Sequence, residues 1–237
     1  PHQPHTIPNT FLYIHLHAPG WDVFGAAFPG VPYFMMGTTR DVSWGLTTGF
    51  VDSYDVYIEK LDSGNEYLYD GQRNLLTERT ETISIKNLSD RNISIRYTEH
   101  GPLLEDLCLE LGLDAKKPQG YGTSLHWALA NVPTSAGALA ELPLAKSSEE
   151  FGEKLFENDV CPLVNNIICV DQGDNLHRFI ATTLEARTGV TGSVPLPGWD
   201  SRYTFKRSTR RELTVEVNPS AGYSLSLIHI SEPTRLR

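Results

Sequence analysis

The sequence predicts an α+β fold built mainly from antiparallel strands. Several runs alternate apolar and polar residues with a period of two, and Gly, Pro, Asn and Asp punctuate them as turns do. The strongest helical segment stands apart from these runs rather than alternating with them. A doubly wound parallel sheet needs a crossover helix after nearly every strand, and this order of segments does not supply one.

From Phe11 to His17 the run FLYIHLH reads as a strand, with Tyr13, His15 and His17 on one face and Ile14 and Leu16 on the other. The following PGWDVFGAAFPGVPYFMMG is broken too often by Gly and Pro for a long helix, and its apolar pieces suit short buried strands. DVYIEKL, starting at Asp55, alternates again. NEYLYDGQRNLL sets Asp70-Gly71 between two alternating runs, the pattern of a tight hairpin. ETISIKN and NISIRYTEHGP carry the strand-rich region through about Tyr97. After Ser124-Leu125-His126-Trp127 the character changes. Ser147 and Glu150 stand at capping-box spacing, and Phe151, Leu155 and Phe156 fall on one side of a helix expected from Ser148 to Asn158. NNIICVDQGDNLHRFIA forms a hairpin around Asp171 to Asp174, and TGSVPLPGWDSRY is a Pro- and Gly-rich excursion.

Composition narrows the function classes. The chain of 237 residues is 40% hydrophobic and 21% charged, ordinary globular values, and its formal net charge of -9 comes with scattered Lys and Arg. Nucleic acid and anionic membrane both require a concentrated basic surface, so no nucleic-acid or membrane partner is expected. A small neutral or modestly polar molecule fits better. No apolar run approaches the roughly 18 residues of a membrane span, and PHQPHTIPNT holds neither a basic nor an apolar signal region. Cys108, Cys161 and Cys169 are odd in number and lack CxxC spacing, which suggests buried free thiols rather than a disulfide framework or zinc knuckle.

The ordered series PGWDVFG, FPGVP, WGLT and DSYDVYIE resembles the β-chain of the penicillin acylases and of their relatives that cleave cephalosporins or acyl-homoserine lactones. YLYDG, HGPLL, LHWAL, SSEEFGEKL, NNIICVDQGDNL and VPLPGWD continue the likeness to about Tyr223. The resemblance implies a partial αββα sandwich of the N-terminal nucleophile hydrolases, an exported parent (periplasmic or extracellular) and an α-chain cut from the same precursor. It also implies hydrolysis of a small-molecule acyl amide. A serine freed at a chain start by self-cleavage attacks the carbonyl, its own α-amino group serves as base, and an acyl-enzyme forms and is hydrolysed. No catalytic cofactor is implied. Residues 1–224 are expected to be part of that β-chain. Residues 225–237 open with LSLIHISEPTR, which reads as a translated sequencing-library adapter; the alternative is a short strand from Leu225 to Ile230.

The family's site maps onto this chain residue by residue. The nucleophilic serine lies upstream of Pro1, and His2 matches a position that carries His or Gln close to it. The oxyanion is held by one backbone N–H and one Asn side chain. The backbone donor maps onto WGLTTGF, with Thr48 the first choice and Gly49 or Phe50 left open by a one-residue shift. Gly49, Phe50 and Phe24 are candidates for substrate contact, and Phe28, Tyr33 and Phe34 looser ones. The donor asparagine follows an N-P-x-x-G-Y segment, here Asn218 to Tyr223, and falls beyond it; Asn218 itself matches another position. Asp52, Tyr54 and Asp55, with Pro195 a weaker match, correspond to a calcium-binding segment found in part of the family, where hard oxygen ligands suit a structural Ca2+.

Two other readings use the residues differently. His15 and His17 share one strand face with His2 and His5 nearby in sequence, as a His-based metal hydrolase would need, although no acidic partner follows at a definite spacing. A non-enzymatic β-rich binding module would also account for the hairpins and aromatic residues. No G-x-S-x-G elbow surrounds Ser43 or Ser124.

Overall fold

The computed structural model describes residues 7–49, 53–62, 65–110, 112–113, 118–130, 136–156, 161, 163–182, 185–186, 192–203, 206–207 and 213–225. In chain order the first strands are β1 (Leu12–Ala18), β2 (Trp21–Ala27), β3 (Met36–Thr38), β4 (Val42–Thr48), β5 (Tyr54–Asp62), β6 (Glu66–Tyr69), β7 (Gln72–Leu75), β8 (Thr77–Ile83), β9 (Arg91–Thr98) and β10 (Gly101–Pro102). Helix α1 (Leu104–Glu110), β11 (Tyr121–Trp127), α2 (Ala136–Ala140) and α3 (Ser148–Leu155) follow, then β12 (Asn165–Asp171), β13 (Leu176–Ala181), β14 (Glu185–Ala186), β15 (Leu196–Pro197), β16 (Lys206–Arg207) and β17 (Thr214–Val217). Two compact units emerge. The first comprises Pro1–Asp52, Asn131–Leu184 and Ser208–Arg237, the second Ser53–Ala130 and Glu185–Arg207.

The first unit is one antiparallel sheet in the order β1-β2-β3-β4-β12-β13-β17. Period-two alternation sends Val42, Trp44, Ile167, Cys169 and Phe179 to one face, where they meet Leu142, Phe151 and Leu155 in a continuous core. Burial of each large side chain there contributes about 1.5–3 kcal/mol. Ile14 packs against this core as its alternation predicts. Leu16 remains exposed, because β1 is the outermost strand of the sheet.

Helix α3 begins where the capping spacing predicts: Ser147 Oγ accepts the Glu150 N–H at 3.1 Å. It ends at Leu155 rather than Asn158. Phe156 leaves the helical region (φ -112°, ψ 51°) and turns its ring toward Phe179, with centroids 6.0 Å apart, so burial of that ring replaces a further helical turn. Residues 157–160 lie outside the described set.

In the second unit β11, β5, β6 and β7 are consecutive neighbours, β15 runs parallel to β5, and β10-β9-β8 form a separate three-stranded sheet. The β6–β7 hairpin turns on Asp70 (φ 49°) and Gly71 (φ 76°), both left-handed, the conformation that Asp-Gly favours in a two-residue turn. Helix α1 is absent from the sequence expectations, although Leu103, Leu104 and Leu107 recur at helical spacing. Its Asp106 carboxylate receives the Arg96 guanidinium at 2.9 and 2.8 Å and the Arg96 N–H at 3.0 Å, joining the helix to β9.

Candidate functional site

The end of β4 is shaped by its antiparallel partner β12. Gly49 donates its N–H to the Val164 carbonyl at 3.1 Å, while Thr48 faces Asn165 and Thr47 faces Asn166. Hydrogen-bonded and open pairs alternate along an antiparallel ladder, so Thr48–Asn165 is an open pair and the Thr48 N–H points away from β12. On the other side β3 registers with β4 at Trp44 and Ser43, several residues short of Thr48. The Thr48 N–H is therefore directed off the ladder, whereas that of Gly49 is committed to it. A Cβ on Gly49 would stand 3.0 Å from the Asn165 nitrogen, which explains glycine at this close backbone approach.

Two consecutive asparagines bracket this turn. Asn165 Nδ2 donates to the Thr47 carbonyl at 3.2 Å, and Asn166 Nδ2 to the Thr48 carbonyl at 3.4 Å. Asn166 is buried, and it lines a cleft of about 420 Å³ with Ser43, Gly45, Thr47, Ile168 and Val170 on the sheet face opposite the core. Phe24 lies on that open face too, half-exposed, beside a second hollow shared with Tyr13, Met36 and Thr38. Of the looser aromatic candidates, Phe34 is buried in the core, Tyr33 packs against it and Phe28 stacks on Phe11.

His2, Phe50 and Asp52 lie outside the described residues. Tyr54 begins β5 with an exposed ring, Asp55 beside it is buried, and exposed Pro195 immediately precedes β15. Since Leu196 is registered opposite Tyr57 in a parallel pairing, Pro195 reaches the stretch of β5 next to Asp55. Among the described residues no group of three or more His, Cys, Asp or Glu could hold a metal ion. Asn218 has a structural position, accepting the Leu176 N–H at 2.8 Å and donating to Asn175 at 3.1 Å.

Two sets of hydroxyl, imidazole and carboxylate are assembled, neither in the order of a catalytic relay. Glu59 is fully buried, and its Oε1 accepts from Ser124 Oγ at 2.6 Å, Thr98 Oγ1 at 2.8 Å and His100 Nδ1 at 2.8 Å. Burial alone would raise the Glu59 pKa, but these donors and the His100 charge hold it below the usual glutamate value. In the other set, Ser148 Oγ donates to Asp171 Oδ2 at 2.8 Å and stands 2.7 Å from His177 Nδ1. The serine proton already goes to a carboxylate in both sets, so neither imidazole is arranged to remove it. Neither set was legible locally.

The paired histidines of β1 acquire the acidic neighbour that their sequence context lacked. Asp22 on β2 lies 2.8 Å from His15 Nε2 and 3.6 Å from His17 Nδ1, on an exposed hairpin. All three side chains are largely solvated.

Comparison with known proteins gives a consistent result. A sequence model of the penicillin amidase family matches residues 1–227. Acyl-homoserine lactone acylase QuiP of Pseudomonas aeruginosa is 28% identical over 210 residues, covering 86% of this chain and 24% of the relative. Penicillin G acylase of Escherichia coli is 27% identical over 214 residues, covering 89% of this chain and 24% of its own length. The chain thus spans about a quarter of these relatives. Thermostable penicillin G acylase from Alcaligenes faecalis shares the fold at a TM-score of 0.74 and 23% identity, over 92% of this chain and 38% of that one. The expected α+β class of antiparallel sheets with segregated helices is the one observed.

Proposed function

This chain belongs to the penicillin amidase family, and from that premise we propose that it is part of an amidohydrolase that cleaves small acyl amides through an N-terminal serine. The observation that carries the reading is the Thr48 N–H, which is directed off the β4–β12 ladder beside a glycine that brings two backbones together. A preorganised backbone donor of this kind stabilises the oxyanion of an acyl-transfer intermediate without reorganisation during the reaction. The serine, the second donor from an asparagine and an α-chain partner come from parts of the longer exported precursor. The 237 residues alone are inactive in this reading.

A structural calcium ion is part of the same proposal. Tyr54, Asp55 and Pro195 offer oxygen atoms of the hard type that Ca2+ takes, and the β5–β15 pairing brings Pro195 toward Asp55. Asp52 would complete the segment.

The test is expression of the longer precursor with its native serine and with that serine changed to alanine. The native form should cleave itself and then release product from a phenylacetyl, glutaryl or fatty-acyl amide reporter. Turnover by the alanine form would refute the mechanism.

A further inference from the structure

We propose that Asn165 and Asn166 are positioning residues that aim the Thr48 N–H. The inference rests on the reading of Thr48 as oxyanion donor, but the geometry behind it is independent of that reading. The Thr47 carbonyl and the Thr48 N–H belong to one planar trans peptide, in which C=O and N–H point in opposite directions. Asn165 Nδ2 donates to that carbonyl at 3.2 Å. Holding the oxygen on the β12 side turns the nitrogen of the same peptide away from β12, into the direction that the ladder alternation leaves open.

The next peptide is held as well. Its carbonyl, on Thr48, accepts from Asn166 Nδ2 at 3.4 Å, and its N–H, on Gly49, donates to Val164 at 3.1 Å. Successive residues of a strand project to opposite faces, so the two asparagines approach β4 from its two sides. Both peptide planes that flank the Thr48 Cα are thereby fixed. The ladder already points the Thr47 carbonyl at β12, and the Asn165 amide adds a second donor to it; the Thr48 carbonyl, which the open pair leaves without a ladder N–H, takes the Asn166 amide instead. Hydrogen bonds in a chain also strengthen one another, by about 10–30% per bond, so a donor at the Thr47 carbonyl makes the N–H at the other end of that peptide a better donor.

The experiment compares Asn165→Leu, which keeps the volume and removes the donor, and Asn165→Ser with the parent sequence. In the 237-residue chain, backbone NMR should find the parent Thr48 amide proton fast in exchange and that of Gly49 protected. In either variant the Thr48 amide resonance should move upfield while Gly49 stays protected, which certifies that the strand pair is intact. A Thr48 amide that is protected in the parent, or unmoved in a variant that retains Gly49 protection, overturns the proposal. If Leu unfolds the strand pair, the Ser variant carries the same comparison.

In the longer, self-cleaving precursor the same changes should lower kcat roughly tenfold with little change in KM, a fraction of the 10²–10³ seen when an oxyanion donor is lost outright. A moved Thr48 resonance with unaltered kcat would leave the positioning role standing and defeat instead the reading of Thr48 as donor.

Discussion

Glu59 and His100 are hydrogen-bonded in the interior of the second unit, with Oε1 and Nδ1 2.8 Å apart, Glu59 fully buried and His100 nearly so. The His100 ring stacks on Tyr57 with centroids 3.9 Å apart, and Ser124 and Thr98 donate to the same carboxylate oxygen. Glu59→Gln should therefore destabilise the chain by about 2–3 kcal/mol, because a neutral amide replaces the buried carboxylate that accepts from the His100 ring and two hydroxyl groups. Denaturant unfolding followed by tyrosine and tryptophan fluorescence measures this. A loss below about 1 kcal/mol would mean that Glu59 is not the ionised acceptor of these groups in the folded chain.

The same pair gives a pH dependence with a definite sign. The folded pKa of Glu59 is depressed below its ordinary 4.5, so its contribution is present above that value and lost as pH falls through the lower folded pKa. The parent should lose stability more steeply than Glu59→Gln on acidification below about pH 4.5. Parallel acid-unfolding curves for the two would contradict the assignment.

Asp171 joins the β12–β13 hairpin to helix α3. Its Oδ2 accepts the Ser148 N–H at 2.9 Å in the first turn of the helix, and its Oδ1 accepts the N–H groups of Gly173 and Asn175 at 2.9 and 3.1 Å. Burial opposes its charge, but the Ser148 and Asn175 donors hold the carboxyl below the usual aspartate range. Asp171→Asn places an amide against these N–H groups and should cost about 1 kcal/mol, as loss of a helix cap does. Part of that difference should vanish at acid pH, where the parent aspartate is itself protonated. An unchanged urea midpoint at neutral pH would remove the carboxylate from this role.

Much of this fold was readable locally and much of the chemistry was not. Ser147–Glu150 and Asp70-Gly71 are signals that act over a few residues, and both produced the element expected of them. The Glu59–His100 pair spans 41 positions, and the asparagine contacts to Thr47 and Thr48 span 118. Such contacts depend on strand register, which period-two patterning constrains only to a face and not to a partner. The Asp22 neighbour of His15 and His17 was hidden for the same reason: it follows from the β1–β2 register, which sets His17 opposite Asp22. Phe156 illustrates the converse, since the helical pattern continued while packing on Phe179 ended the helix.

The three cysteines should separate by reactivity. Cys161 and Cys169 are buried in the core of the first unit, and burial pushes both thiols up to about 12. Cys108 on α1 is only partly buried. Since the thiolate is the reacting species, a chromogenic disulfide reagent should titrate one thiol quickly in the native chain and three in denaturant. Rapid reaction of a second thiol without denaturant would show that the core around Cys161 and Cys169 opens easily.

The 237-residue polypeptide, produced as written, should not hydrolyse acyl amides above background. In the proposed mechanism one residue, an N-terminal serine, supplies both the attacking hydroxyl and the amine that deprotonates it. The two serines that stand beside histidines cannot substitute. Ser124 gives its proton to Glu59 and Ser148 to Asp171, and both serines are buried away from any substrate. In that mechanism the proposed donor at Thr48 has no oxyanion to stabilise until a nucleophile attacks. The measurement is release of a chromogenic amine from phenylacetyl, glutaryl and fatty-acyl reporters by the purified chain, with Ser124→Ala and Ser148→Ala forms beside it. Turnover by the parent that either alanine variant abolishes would reveal an internal serine nucleophile and replace the mechanism proposed for the family site.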